Sequence, residues 1–279
     1  MDSLVTTDWL ARQLGEPDLV ILDCSVFMAG MDRDPAADFA ALHIPGARFF
    51  DIEGLSDPDH AAPHMLSSAA AFGQAMEALG VGRDDRLVCY DDSPLHSATR
   101  GWFMLRHYGA GRVAVLDGGL GKWRREGRPV DAAASPLRKA RFDAVERSDE
   151  VIDKSDLLAG PALPLLDARG TPRFDGSSPD PRPGVAGGHI PGARNLPFAM
   201  LYRHDGTLKA ADALAQAFAE ARLDPAAPFV ASCGSGVTAT SLLFAAHRLG
   251  GKSGKLYDGS WSEWGADPAT PKELGRPTG

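Results

Sequence analysis

The hexapeptide His43-Ile44-Pro45-Gly46-Ala47-Arg48 recurs unchanged as His189-Ile190-Pro191-Gly192-Ala193-Arg194, 146 positions further along the chain. Weaker echoes keep the same order. Leu22-Asp23 answers to Leu166-Asp167, and the apolar run Leu87 to Tyr90 answers to Phe229 to Ser232. Asp117-Gly118 with Trp123 answers to Asp258-Gly259 with Trp264. A period this long is far above that of a solenoid and marks a duplicated domain. The 279 residues leave room for about two domains of common size.

Ile-Pro-Gly reads as a type II turn in both copies, with Pro at the first central position and Gly supplying the positive φ of the second. The adjoining His43 and His189 are expected to be structural hydrogen-bond partners, since they recur in both halves. Each half alternates short apolar runs with helical patterns. In the second half the pattern predicts strands at Leu163–Asp167, Phe229–Ser232 and Lys255–Tyr257. It predicts helices at Asp212–Leu223, with Leu214, Phe218 and Ala221 on one face, and at Ala239–Leu249. This order predicts an α/β fold, with a parallel sheet covered by helices on both faces in each half. The expected domains are 1–135 and 149–279, joined by a linker at 136–148 where periodicity is lost.

Composition narrows the function classes. The net charge of −8 is spread without a basic run, which disfavours nucleic acid or an anionic membrane as partner. No stretch of 18 apolar residues is present to span a bilayer. The N-terminus mixes charges among apolar residues, unlike a signal peptide. The three cysteines, Cys24, Cys89 and Cys233, are too few and scattered for a disulfide framework or a metal site. A reducing compartment, the cytoplasm, is the expectation.

The segment Cys233-Gly234-Ser235-Gly236-Val237-Thr238 lies between a predicted buried strand and a predicted helix, where open parallel sheets bind ligands. Its glycines allow successive N–H groups to turn inward as an anion-binding nest, and the helix adds its positive end. A thiolate there is expected to be stabilised by those donors. Most lone cysteines are inert small apolar residues, and Cys24 and Cys89 fit that description. The first half is an internal control: Asp91 stands where Cys233 does, followed by Asp92-Ser93-Pro94-Leu95 without glycine. Neither the nucleophile nor the nest is expected there.

The duplicated layout, both His-Ile-Pro-Gly-Ala motifs, Cys233 to Thr238, and the run Tyr257 to Trp264 together resemble tandem rhodanese proteins, and more narrowly the 3-mercaptopyruvate sulfurtransferases. The resemblance implies two rhodanese folds, an inactive first copy and a catalytic second copy with its site at the domain interface. Rhodaneses proper place Arg and Lys directly after the cysteine; here Gly234 and Ser235 are neutral and offer a poorer home to dianionic thiosulfate. On spacing alone, Arg173 and Arg182 in a polar, turn-rich stretch read as solvated. The resemblance assigns the pair, nine residues apart, to the donor's carboxylate, a task suited to the guanidinium fork. It also implies a relay of Glu53, His64 and Ser235, in which Glu53 replaces the usual Asp and keeps a spacing of 11 to His64. Asp51, His60 and Arg100 are nearby alternatives.

The expected chemistry is sulfur transfer through a Cys233 persulfide, with pyruvate released and sulfur passed to a thiol, such as that of a thioredoxin-like protein, or to cyanide. Neither metal nor organic cofactor is called for. Alternatives are a thiosulfate sulfurtransferase and a non-catalytic persulfide carrier. A cysteine phosphatase needs Arg six positions after the cysteine, and Ala239 stands there.

Overall fold

The computed structural model describes residues 1–28, 30–160 and 163–275. Two compact units divide the chain. The first comprises Met1–Pro58, Leu66–Arg147 and His204–Leu208; the second comprises Asp59–Met65, Ser148–Arg203 and Lys209–Gly279. The short segments Asp59–Met65 and His204–Leu208 each belong to the unit of the other sequence half.

In the first unit five parallel strands, β1 (Leu4–Val5), β2 (Leu19–Asp23), β3 (Ala47–Phe49), β4 (Arg86–Tyr90) and β5 (Val113–Leu116), line up in the order β1-β5-β4-β2-β3. Flanking them are α1 (Thr7–Gln13), α2 (Pro35–Ala41), α3 (Ala69–Ala78), α4 (Ala98–His107) and α5 (Gly119–Arg125). Leu87, Val88 and Cys89 of β4 are fully buried, as a central strand covered on both sides must be. Residues 136–147 pack onto this unit without regular structure. There Phe142 is buried with its ring edge-on to Phe72 at 5.7 Å.

The second unit repeats the plan. Strands β6 (Val151–Ile152), β7 (Leu165–Asp167), β8 (Arg194–Asn195), β9 (Phe229–Ser232) and β10 (Gly254–Tyr257) order as β6-β10-β9-β7-β8. The helices are α6 (Lys154–Leu158), α7 (Thr171–Phe174), α8 (Ala211–Glu220), α9 (Ala239–Arg248) and α10 (Ser260–Trp264). Strand β7 begins two residues later than periodicity suggested, because Pro164 has no N–H to give to the ladder. Helix α8 ends early: Arg222 takes φ +55°, and Leu223 donates its N–H back to Phe218 O, closing a Schellman motif. Its buried face is Leu214, Ala217 and Phe218, so Ala217 stands in for the expected Ala221.

Both Ile-Pro-Gly turns are type II. Gly46 and Gly192 have φ of +80° and +75°, and Ala47 and Ala193 donate to Ile44 O and Ile190 O at 2.9 and 3.0 Å. The two histidines do the same work. The His43 ring stacks on Phe39 and donates from Nδ1 to its carbonyl (2.7 Å), and His189 treats Phe174 likewise (2.9 Å).

Candidate active site

The site is built where β9 ends. Phe229–Ser232 is buried throughout, so the chain leaves the sheet from a fixed base directly into Cys233–Thr238, and α9 starts at Ala239. Cys233 is almost wholly buried, at 1% exposure, as are Ser235, Val237 and Thr238 beside it. Gly236 bends the loop at φ +76°.

A single hydroxyl holds the loop from beneath. Ser260 Oγ accepts the N–H of Cys233 and of Gly236, both at 3.1 Å, and donates to Tyr257 O at 2.9 Å. Trp261 N and Ser262 N, in the first turn of α10, donate to Cys233 O and Gly234 O at 3.0 and 2.8 Å. The nest expected from the sequence is therefore corrected. Two of its N–H groups face the scaffold rather than the sulfur. Among the described residues, no protein acceptor takes the N–H groups of Gly234, Ser235, Val237, Thr238 or Ala239, and Thr238 caps α9 without a side-chain bond. These donors, with the positive end of α9, are free for an anion on the thiol.

The arginine pair lies over the loop. A buried pair at the end of β7, in which Asp167 accepts Arg169 Nη2 at 2.7 Å, fixes the turn into α7, which carries Arg173. A Cβ added at Gly234 would sit 3.2 Å from Arg173 Nη2 and 3.3 Å from Arg182 Nη1. A side chain at 234 would therefore crowd the tips of both guanidiniums. Between them stands Asp180, its side chain 2% exposed, accepting Arg173 Nη2 at 2.6 Å. Arg182 N donates to its other oxygen at 3.0 Å, with Arg182 Nη1 3.6 Å away. Arg173 Nε has no partner among the described residues.

His64 Nδ1 lies 2.9 Å from Ser235 Oγ. His64 adopts φ +64°, a conformation histidine tolerates better than most side chains. The sequence assigned His64 to the first domain; in the fold it belongs to the second unit, together with the Cys233 loop. Glu53 and Asp51 belong to the first unit. His60, also in the second unit, accepts Ala62 N and so turns its own backbone; Arg100 is buried within α4.

Two residues escaped the sequence reading. Ser260 was visible only inside a motif, although the duplicated position holds Gly119, and that mismatch was the available signal. Asp180 was signalled by a carboxylate set between two arginines and two prolines.

The Rhodanese-like domain model matches residues 6–126 and 151–267, and the chain belongs to that family. Two relatives lie close along nearly the whole chain. The 3-mercaptopyruvate sulfurtransferase of Escherichia coli (strain K12) is 41% identical over 96% of this chain and 97% of its own. The mitochondrial thiosulfate/3-mercaptopyruvate sulfurtransferase 1 of Arabidopsis thaliana is 37% identical over 98% of this chain and 78% of its own. Among solved structures, SseA from Escherichia coli, a 3-mercaptopyruvate sulfotransferase, superposes with a TM-score of 0.85. It is 38% identical and covers 94% of this chain and 100% of its own. No helix among the described residues is long and apolar enough to cross a membrane.

Proposed function

We propose that this chain transfers sulfur from 3-mercaptopyruvate through a persulfide on Cys233 to a thiol acceptor, releasing pyruvate. The Cys233 thiolate attacks the sulfur of the donor. The carbon–sulfur bond breaks, its electron pair enters the enolate of pyruvate, and that enolate takes up a proton at carbon. Arg173 and Arg182 hold the donor's carboxylate and ketone, so charge growing on the enolate meets fixed donors. Ser235 and His64, in hydrogen-bond contact, handle the proton; Glu53 is their proposed carboxylate partner. The outer sulfur then rests on the free N–H groups of Gly234, Ser235, Val237 and Thr238. An acceptor thiolate, of a thioredoxin-like protein in the cell, attacks that sulfur and restores the Cys233 thiolate.

The observation that carries this reading is the pairing of a neutral, N–H-lined cysteine loop with two guanidiniums in reach of Gly234. The name of the Arabidopsis relative favours a second donor, thiosulfate. Three free cysteines and a chemistry that needs a thiolate suit a reducing compartment, the cytoplasm. Incubation with 3-mercaptopyruvate and a thiol should yield pyruvate, and Cys233→Ser should yield none. Turnover of thiosulfate without pyruvate formation would exclude the preferred donor.

A further inference from the structure

We infer that Asp180 sets the donor preference of the site by cancelling one of the two positive charges offered by Arg173 and Arg182. This rests on the proposed sulfur-transfer function and names the feature that selects a monoanionic over a dianionic donor. Asp180 is positioned between the pair, with Oδ2 accepting Arg173 Nη2 at 2.6 Å and Oδ1 accepting Arg182 N at 3.0 Å. Arg182 Nη1 approaches Oδ1 to 3.6 Å. The carboxylate is buried, whereas the arginine side chains are 25% and 28% exposed, so the cations rather than the anion face an incoming ligand. Pro179 and Pro181 flank it; a residue preceding proline is biased to extended backbone, which restrains the chain that carries the carboxylate.

The formal charge of the trio is therefore one positive unit. A donor with one carboxylate is neutralised by it. Thiosulfate, carrying two negative charges, would leave one unit uncompensated beside the thiolate it must approach. Neither Gly234 nor Ser235 supplies a further cation. Charge, rather than shape, is then the discriminating quantity, and Asp180 is a specificity residue that acts through the two arginines.

The test is a charge series in the full-length protein. Wild type carries one unit, D180N two, R182Q none, and D180N/R182Q one again. The quantity read is the ratio of kcat/KM for thiosulfate to that for 3-mercaptopyruvate. D180N should raise it by about tenfold or more, R182Q should lower it, and the double variant should return it towards wild type although both rates fall. D180E, which keeps the charge, should keep the ratio. If D180N fails to fold, R182Q and D180E still decide the matter. A ratio that stays constant while both activities fall together would reduce Asp180 to a structural prop and overturn the inference. Calorimetric titration with pyruvate and with sulfate separates this from the function itself. Wild type should favour pyruvate and D180N should move towards sulfate, even if the wild-type protein fails to release pyruvate from 3-mercaptopyruvate.

Discussion

The loop after β4 and the loop after β9 hold equivalent places in the two units, yet they satisfy their backbone donors in opposite ways. In the first unit a carboxyl group is built in: Asp91 accepts Ala98 N at 2.6 Å at the start of α4. Ser93 donates to Val26 O, beyond β2, and accepts Leu95 N, so its hydroxyl is consumed in bracing the loop. In the second unit the matching positions are Cys233 and Ser235, the N–H groups near α9 stay open, and Ser235 turns to His64. The supports differ as well. Leu120 N holds Asp91 O as Trp261 N holds Cys233 O. Gly119, however, takes φ +55° with no side chain, and a Cβ there would collide with Asp91 O. Ser260 takes φ +49° and uses its hydroxyl to grip the loop. A non-glycine residue held in that conformation costs on the order of 1 kcal/mol, a cost found mainly where function needs the side chain. One scaffold thus carries a plugged anion site and an open one.

The largest effect that would break this contrast belongs to His64 and Ser235, the pair proposed to handle the proton. His64→Gln should lower kcat by about 100-fold, as expected for loss of a general acid–base. Ser93→Ala, at the position matching Ser235, should leave turnover unchanged and cost about 1 kcal/mol in a denaturant melt. Equal losses of activity from both would erase the distinction.

Ser260→Ala should reduce kcat/KM by about tenfold, because two buried N–H groups lose their acceptor while the positive φ remains. Ser260→Gly relieves the backbone but not the N–H groups, so it should melt higher than the alanine variant without regaining activity.

Asp91 gives a pH test of the plug. Burial, the dominant cause, pushes its carboxyl up to about 7. The stability contributed by the neutral form is complete below its ordinary value of 3.8 and is lost as pH rises through about 7. Asp91→Asn should therefore gain on wild type as pH rises from about 4 to about 7, by up to about 1.4 kcal/mol per pH unit, and no further above that, in chemical denaturation. A parallel pH dependence in the two proteins would contradict the assignment.

The smallest effects should be alike in the two units. Gly46→Ala and Gly192→Ala occupy the same type II position with open space around the added Cβ. Each should cost about 1 kcal/mol through the left-handed φ alone and leave catalysis intact.

The duplication, the α/β plan and the cysteine loop were legible because each is local. A repeated turn, a period in hydrophobicity and a glycine pair beside a cysteine need no distant partner to be read. Strand β9 was read to its end residues for that reason. Strands β6 and β8, two residues each, are too short to show any period. The grip of Ser260 on Cys233 spans 27 residues and depends on a backbone angle that composition does not encode. The position of His64 in the second unit follows from a chain excursion, Asp59–Met65, that carries no sequence signal of its own.

The most direct measurement of the central claim is peptide mass spectrometry after brief exposure to 3-mercaptopyruvate without acceptor. One sulfur atom should be added to the peptide bearing Cys233, with one pyruvate released and nothing added at Cys24 or Cys89. Burial raises the thiol of Cys24 well above its ordinary range and keeps it inert. Sulfur found on Cys24 or Cys89, or pyruvate formed at an undiminished rate by Cys233→Ser, would contradict the account.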